Sequence, residues 1–163
     1  MSHKYDRLAH AIEAVLTELP PTGLAPAALQ KGGLGAVLLA RHLGHELCNC
    51  DKGADARGPN GDQYEYKTSF VNRFTFNFGG PRIGPSIRHR LQRTHGSITG
   101  VYCAAIGPGG ISRIAYCPTT AVLDDLQVRC EKSKANTLTA VYTFEAFLRL
   151  PTSVDLSGPG LHG

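Results

Sequence analysis

The sequence predicts a mixed α/β domain in which a largely antiparallel sheet is flanked by helices. Segments with helical apolar spacing precede and follow a central region whose apolar residues alternate with period two or form short runs. The chain has 163 residues, of which 42% are hydrophobic, so it can bury one sizeable core. We therefore expect a single domain over residues 1–151, and a loosely held tail at 152–163 because glycine, proline and serine are frequent there.

The helices are predicted from apolar spacing and from the residues that interrupt it. Residues 6–19 form an amphipathic pattern that ends at Pro20-Pro21, and residues 25–45 favour one or two helices with a break near Gly32-Gly33. Two later helices are expected at residues 85–94 and 119–132. The pattern over 25–45 is strongly apolar and should pack beneath the sheet through Leu34, Val37, Leu38, Leu39 and Leu43.

Period-two alternation predicts a strand at residues 62–68. Successive side chains of a strand point to opposite faces. Tyr64, Tyr66 and Thr68 therefore share one face, and Gln63, Glu65 and Lys67 share the other. Further strands are expected at residues 74–78, 99–106 and 111–117, the last two joined as a hairpin, and residues 136–150 favour a strand followed by a short helix.

The turn before this strand fixes how it pairs with the residues that precede it. Proline suits the first corner of a type I turn and glycine suits the left-handed position, so Pro59-Asn60-Gly61 predicts a three-residue connection. Gly58 then pairs with Asp62, and Asp55 lies opposite Glu65. A two-residue Asn-Gly turn would instead pair Asp55 with Tyr66 and send the two carboxylates to opposite faces.

The three-residue turn brings two acids and an amine together. The Cβ atoms of directly opposed residues lie roughly 5 Å apart, and Lys67 is two residues along the strand from Glu65. Opposed like charges destabilise a hairpin unless a cation offsets them, and Mg²⁺ binds one or two carboxylates together with phosphate oxygens. Asp55, Glu65 and Lys67 are therefore candidates for a phosphodiester-hydrolysing site. The alternative is an exposed hairpin with a surface Glu/Lys pair.

The positive charge of the chain is concentrated in one segment. The formal net charge is only +4, but residues 73–95 contain five arginines and two histidines with no acidic residue. Such a segment is the electrostatic footprint of a phosphate-binding surface, and the alternative is a solvated helix face.

The segment GADARGPNGDQYEYKTS, residues 53–69, resembles the catalytic hairpin of the PD-(D/E)xK nuclease superfamily, in particular the small type II restriction endonucleases of the PvuII kind. The likeness lies in the Gly-x-Asp-Ala start, the glycine turn and Tyr-Glu-x-Lys. Asp55 matches the motif aspartate, Glu65 the second acid and Lys67 the lysine, whereas Ala54 replaces the family's leading proline.

The resemblance implies a restriction-endonuclease-like mixed sheet, Mg²⁺ held by Asp55 and Glu65, a homodimer, and cleavage of double-stranded DNA at a short palindromic site to give 5′-phosphate ends. It also implies that bases are read just after the catalytic strand. Asparagine can bond adenine and arginine guanine, while other arginines contact phosphates. The candidate DNA contacts are Asn72, Arg73, Thr75, Asn77, Arg82, Arg88, Arg90, Arg93 and Lys134. A structure-selective, junction-resolvase-like nuclease and a non-catalytic basic DNA-binding module are the alternatives.

One further cluster could bind a different metal. The stretch HLGHELCNC contains His42, His45, Cys48 and Cys50, and imidazoles with thiolates suit Zn²⁺. The Cys-x-Cys spacing is tighter than in most zinc sites, so buried reduced cysteines are the preferred interpretation. An odd number of cysteines, five, and the absence of a secretory pattern at the start lead us to expect a cytoplasmic protein.

Overall fold

The computed structural model describes residues 33–48, 54–81, 96–132 and 137–158, together with the helical positions 10, 11, 14 and 17. In this part of the chain the helices with full bounds are α1 (Gly33–Leu43), α2 (Thr119–Lys132) and α3 (Phe144–Leu148). The strands are β1 (Glu46–Leu47), β2 (Ala56–Arg57), β3 (Gln63–Ser69), β4 (Phe74–Pro81), β5 (Gly100–Gly107), β6 (Gly110–Pro118), β7 (Thr137–Tyr142) and β8 (Val154–Asp155).

The main sheet has six strands in the order β1-β2-β3-β5-β6-β8. β3 and β5 run parallel, with Glu65 beside Val101 and Lys67 beside Cys103, and the other neighbours in this sheet are antiparallel. β4 and β7 form a separate antiparallel pair. The mixed, largely antiparallel fold is therefore as predicted from the sequence.

The two faces of the main sheet are covered by different elements. α1 packs on one face, where Leu39 and Ala40 bury against Ala56, Tyr66 and Ile114. The other face carries the larger cluster of buried residues. There α2, α3 and the β4/β7 pair contribute Phe74, Phe76, Val122, Leu126, Tyr142, Phe144 and Phe147, packed against Val101, Cys103, Ala115 and Cys117. Each face of the central strands is thus buried under its own layer.

Several predicted elements are confirmed. The helix expected at 119–132 has these bounds, residues 136–150 form β7 followed by α3, and β5 and β6 are joined as a hairpin. α1 lies within the helical pattern at 25–45, and the four described positions of the first pattern are helical. The helix expected at 85–94 lies outside the described residues.

Three expectations need correction. The tail is not loose at residues 153–158, because β8 pairs with β6 and the Leu156 N–H donates to the Ile114 carbonyl at 2.8 Å. The strand at 74–78 runs further, to Pro81, and pairs with β7. Leu34 and Leu38 were expected beneath the sheet but are 47% and 37% exposed, because α1 turns its Leu39 and Ala40 side inward.

Among the described residues, no helix combines the length and the apolar character that a membrane span requires.

The contact between α1 and β3 is close enough to predict a mutational effect. A Cβ atom at Gly35 would lie 2.3 Å from Thr68 Oγ1 and 2.6 Å from Thr68 Cβ. Alanine ordinarily stabilises a helix interior relative to glycine, but overpacking at this distance outweighs that gain. We expect Gly35→Ala to lower the free energy of unfolding by about 1–2 kcal/mol in urea titrations.

Gly109→Ala is the control, because a Cβ atom there meets nothing within 4 Å. Equal stability of the Gly35→Ala variant and the wild-type protein would contradict the packing described.

Candidate active site

The hairpin of β2 and β3 has the register that the three-residue turn predicts. Arg57 pairs with Gln63 and Ala56 with Tyr64, and the Gly58 N–H donates to the Asp62 carbonyl at 2.9 Å. Gly61 has a φ of 84°, the left-handed conformation that closes such a turn. The ladder ends at Ala56 and Tyr64. Asp55 lies in a bend just before β2 and its N–H bonds to the Tyr64 carbonyl, so the predicted pairing of Asp55 with Glu65 is not part of the ladder.

Asp55 is held at the end of β2 by bonds from its backbone and its side chain. Its N–H donates to the Tyr64 carbonyl, and its carbonyl accepts the Cys48 N–H, each at 2.9 Å. Its carboxylate oxygen Oδ2 accepts the backbone N–H of Tyr66 at 2.7 Å. This N–H belongs to the peptide that joins Glu65 to Tyr66, so the Asp55 carboxylate lies against the backbone of β3.

Glu65 and Lys67 form an ion pair on one face of β3, in which Lys67 Nζ donates to Glu65 Oε1. The pair is largely shielded from water, since the side chains of Lys67 and Glu65 are 24% and 16% exposed. Lys67 Nζ also lies 5.5 Å from the centre of the Phe76 ring, which places the pair on the β4 side of the sheet. A shielded pair is retained only where both charges keep partners, since removing one leaves the other uncompensated.

The lysine also acts on a thiol beneath it. Lys67 neighbours Cys103 in the parallel β3/β5 register. Burial raises the pKa of the Cys103 thiol, and the positive charge of Lys67 acts in the opposite direction. Burial dominates, so Cys103 remains a neutral core side chain rather than a nucleophile.

The opposite face of β3 is fixed by an aromatic cluster around His45. His45 Nδ1 and the Tyr66 hydroxyl lie 2.7 Å apart in a hydrogen bond, and the imidazole stacks on Tyr64 with ring centroids 4.7 Å apart. Tyr102 contacts Tyr64 edge-to-face at 5.2 Å. Burial lowers the pKa of His45 and is the main cause that raises the pKa of Tyr102 to about 12, so these groups stay neutral near pH 7. The cluster therefore holds β3 without adding charge.

His45 supports β3 through Tyr64 and Tyr66, whereas the sequence indicated it only as a possible zinc ligand. The described members of the proposed zinc cluster, His42, His45 and Cys48, do not converge, since no group of three or more His, Cys, Asp or Glu side chains is placed to hold a metal in the described ranges. Cys50 lies outside those residues. The alternation of Tyr64 and Tyr66 was the signal that pointed to an aromatic face, and the adjoining histidine belongs to it.

The candidate DNA contacts are described only in part. Arg73 and Thr75 are exposed, as expected for surface contacts, and Phe74 and Phe76 are buried beside them. The side chain of Asn77 lies outside the described residues, as do all the remaining candidates, namely Arg82, Arg88, Arg90, Arg93 and Lys134.

Asn72 has an internal role in the free chain. Its φ is 52°, its Oδ1 accepts the Phe144 N–H at 2.8 Å, and its Nδ2 donates to Glu145 Oε2 at 3.2 Å. Arg113 Nη1 donates to the other oxygen of Glu145 at 2.7 Å. Asn72 thus fixes the turn after β3 against the start of α3.

No protein-family model matches this chain, and no curated protein matches it in sequence. The proposed function is therefore based on the residues of the β2/β3 hairpin and on their surroundings.

Glu145 gives the neighbourhood of this turn a testable pH dependence. Its own backbone N–H, Arg113 and Asn72 lower the pKa of Glu145 from 4.5 to about 2. A carboxyl whose pKa falls on folding contributes stability that is fully present above its unfolded value and is lost as pH falls through the folded value. Between pH 4.5 and 2 we expect the urea midpoint of the wild type to fall more steeply than that of Glu145→Gln.

Glu131→Gln, which also removes one carboxylate at an exposed position, is the matched control. Parallel curves for Glu145→Gln and the wild type would show that these bonds do not favour the ionised form.

Proposed function

We propose that this chain is a Mg²⁺-dependent type II restriction endonuclease that hydrolyses phosphodiester bonds in double-stranded DNA at a short palindromic site and leaves 5′-phosphate ends. The observation that supports this best is the bond from the Tyr66 N–H to the Asp55 carboxylate. Tyr66 stands between Glu65 and Lys67 in the sequence, and these two residues form an ion pair. Two acids and one amine at this spacing match the donors and the charge that phosphodiester hydrolysis needs.

Asp55 and Glu65 are the residues that would hold the metal. Carboxylate oxygens are hard donors suited to Mg²⁺, which takes one or two carboxylates and fills its shell with water and phosphate oxygens. The bond from the Tyr66 N–H orients the Asp55 carboxylate. When bound, Mg²⁺ stabilises the negative charge that develops on the phosphate.

Lys67 would act on the same phosphate from the protein side. In the free chain its ammonium group is occupied by Glu65 and restrained beside the Phe76 ring. If Glu65 held a metal, its bond to Lys67 would be weaker, and the Lys67 ammonium could then donate to a phosphate oxygen or to an attacking water. The ion pair of the free chain thus keeps the amine in position until substrate arrives.

The overall charge and the expected symmetry agree with a duplex substrate. The acid-free segment at residues 73–95 follows the catalytic strand directly and supplies arginines for phosphate contacts. A homodimer would present the same surface to each half of a palindrome, because two-fold protein symmetry matches two-fold sequence symmetry. A nuclease of this kind acts in the cytoplasm, where its DNA substrate is.

Digestion of a sequenced plasmid in the presence of Mg²⁺ tests the reaction class. Discrete fragments with mapped ends are the expected result, since a fixed site is cut on both strands. Cutting of branched DNA alone would replace this proposal with a junction-resolvase-like activity, and retardation of DNA without cleavage would leave a non-catalytic binding module.

A substitution that keeps the shape of Asp55 tests its role. Asp55→Asn retains an oxygen for the Tyr66 N–H and removes the negative charge. We expect the cleavage rate with Mg²⁺ to fall by at least about 100-fold while the affinity for DNA in the absence of metal stays near the wild-type value. Rates are measured on the plasmid or on a duplex that carries the mapped site.

Asp62→Asn is the matched control. Asp62 lies in the same hairpin, where its Oδ1 accepts the Thr99 hydroxyl at 3.3 Å, and an asparagine oxygen can replace that bond. Its cleavage rate should stay close to that of the wild type. Undiminished cleavage by Asp55→Asn, or equal losses in both variants, would contradict the assignment of the site.

A further inference from the structure

Two large apolar side chains stand side by side in solvent on the turn between β3 and β4. Phe70 is 71% exposed and Val71 is 74% exposed, the highest values among the exposed large hydrophobic residues of the described chain. Single exposed apolar residues are common, whereas two adjacent, highly exposed ones form a small apolar patch. We refer to Phe70 and Val71 as the apolar tip.

The tip is held in place from both sides. Ser69 Oγ accepts the N–H of Val71 at 3.2 Å and the N–H of Arg73 at 3.1 Å. Asn72 adopts a left-handed conformation with a φ of 52°, and its side chain bonds to the N–H of Phe144 and to Glu145. An asparagine accepts this conformation at a smaller cost than most residues. The chain therefore presents the tip on a fixed turn, which lowers the entropy lost when the tip meets a partner.

The tip is too small to form a stable dimer interface by itself. Phe70 and Val71 together expose on the order of 250 Å², given the areas that such side chains bury. A stable dimer interface takes about 800 Å² from each partner. A pair of apolar residues is nevertheless sufficient for a wedge between base pairs, where Phe, Leu, Ile or Met side chains partly unstack a step and bend the duplex.

Charge and position favour DNA as the partner. Arg73 follows the tip and is exposed, and the chain continues into the acid-free segment at residues 73–95. The neighbouring carboxylate, Glu145, is paired with Arg113. Phe70 comes three residues after Lys67 on the same strand and turn, so a duplex whose phosphate lies at Lys67 passes close to the tip. The positive charge would attract the backbone on either side of an inserted side chain.

We propose that Phe70 and Val71 form a wedge that enters the minor groove beside the cleavage site and unstacks one base step. This inference rests on the proposed function, because it takes duplex DNA as the substrate of the Glu65–Lys67 site. The wedge would favour sites that contain easily unstacked pyrimidine–purine steps next to the cut.

The test uses the full chain and duplexes that carry the mapped cleavage site, with 2-aminopurine placed in turn at each position around the cut and no divalent metal present. Fluorescence of 2-aminopurine increases when its base is unstacked. We expect the wild type to raise the fluorescence several-fold at one step. The double variant Phe70→Ala/Val71→Ala should abolish this rise and bind roughly tenfold more weakly, as expected for the loss of one stacking contact.

Two variants serve as controls. Phe70→Leu keeps an apolar wedge and should retain most of the fluorescence rise. Val154→Ala removes an exposed valine, 47% accessible, from β8 on the far side of β5 and β6, and should bind as the wild type does. Thermal unfolding should be unchanged in all variants, because each replaced side chain is exposed.

The outcomes separate this inference from the proposed function. Binding and cleavage by the wild type, with the same fluorescence rise in the double variant or with none in either protein, would overturn the wedge alone. A double variant that binds DNA normally but is monomeric where the wild type is dimeric would assign the tip to the subunit interface. A wild type that neither binds nor cuts duplex DNA would overturn both proposals.

Discussion

The hydrogen bond from the Tyr66 N–H to the Asp55 carboxylate is the contact on which the proposed chemistry depends. β2 contributes only Ala56 and Arg57 to the sheet, so Asp55 lies just beyond the end of a short strand. The bond to Tyr66 holds its side chain against β3. The three-residue turn sets the register, and the Tyr66 N–H then holds the acid beside the strand that carries Glu65 and Lys67.

The two faces of β3 carry different kinds of side chain. Tyr64 and Tyr66 pack with His45 on the side of α1, where neutral rings and a hydroxyl–imidazole bond fix the strand. Glu65 and Lys67 point to the side of Phe76, where the ion pair keeps both charges partnered while they are shielded from water. Because side chains alternate along a strand, rigidity on one face determines the position of the charges on the other. The same strand continues into the fixed apolar tip.

Local chemistry made much of this arrangement predictable from the sequence. Proline at 59 and glycine at 61 specify the turn, and the turn specifies the register, so the pairing of Arg57 with Gln63 and of Ala56 with Tyr64 needed no tertiary information. The helix at 119–132, with a hydroxyl available for its cap, and the strand–helix order at 136–150 were also predicted from the sequence. The pairing of β4 with β7 joins segments about sixty residues apart, and no local pattern indicates it. β8 has only two residues, too few for a period, so the order of the tail was missed.

The role of Asn72 shows a further limit of sequence reasoning. An asparagine just after β3 suits a base contact, yet here its amide bonds to Phe144 and Glu145 and its backbone turns left-handed. These contacts depend on α3 reaching the turn, which the sequence does not reveal. Arg73 and Thr75 remain exposed on the same side of the chain.

The proposed function requires Asp55 and Glu65 to bind the same divalent ion. The direct test is anomalous diffraction from crystals soaked in Mn²⁺, which scatters X-rays anomalously and can replace Mg²⁺ at oxygen ligands. The account predicts a peak within coordinating distance of a carboxylate oxygen of Asp55 and of Glu65, and its loss in Asp55→Asn. A peak beyond coordinating distance of either acid, or one that persists unchanged in the variant, would rule out the shared site.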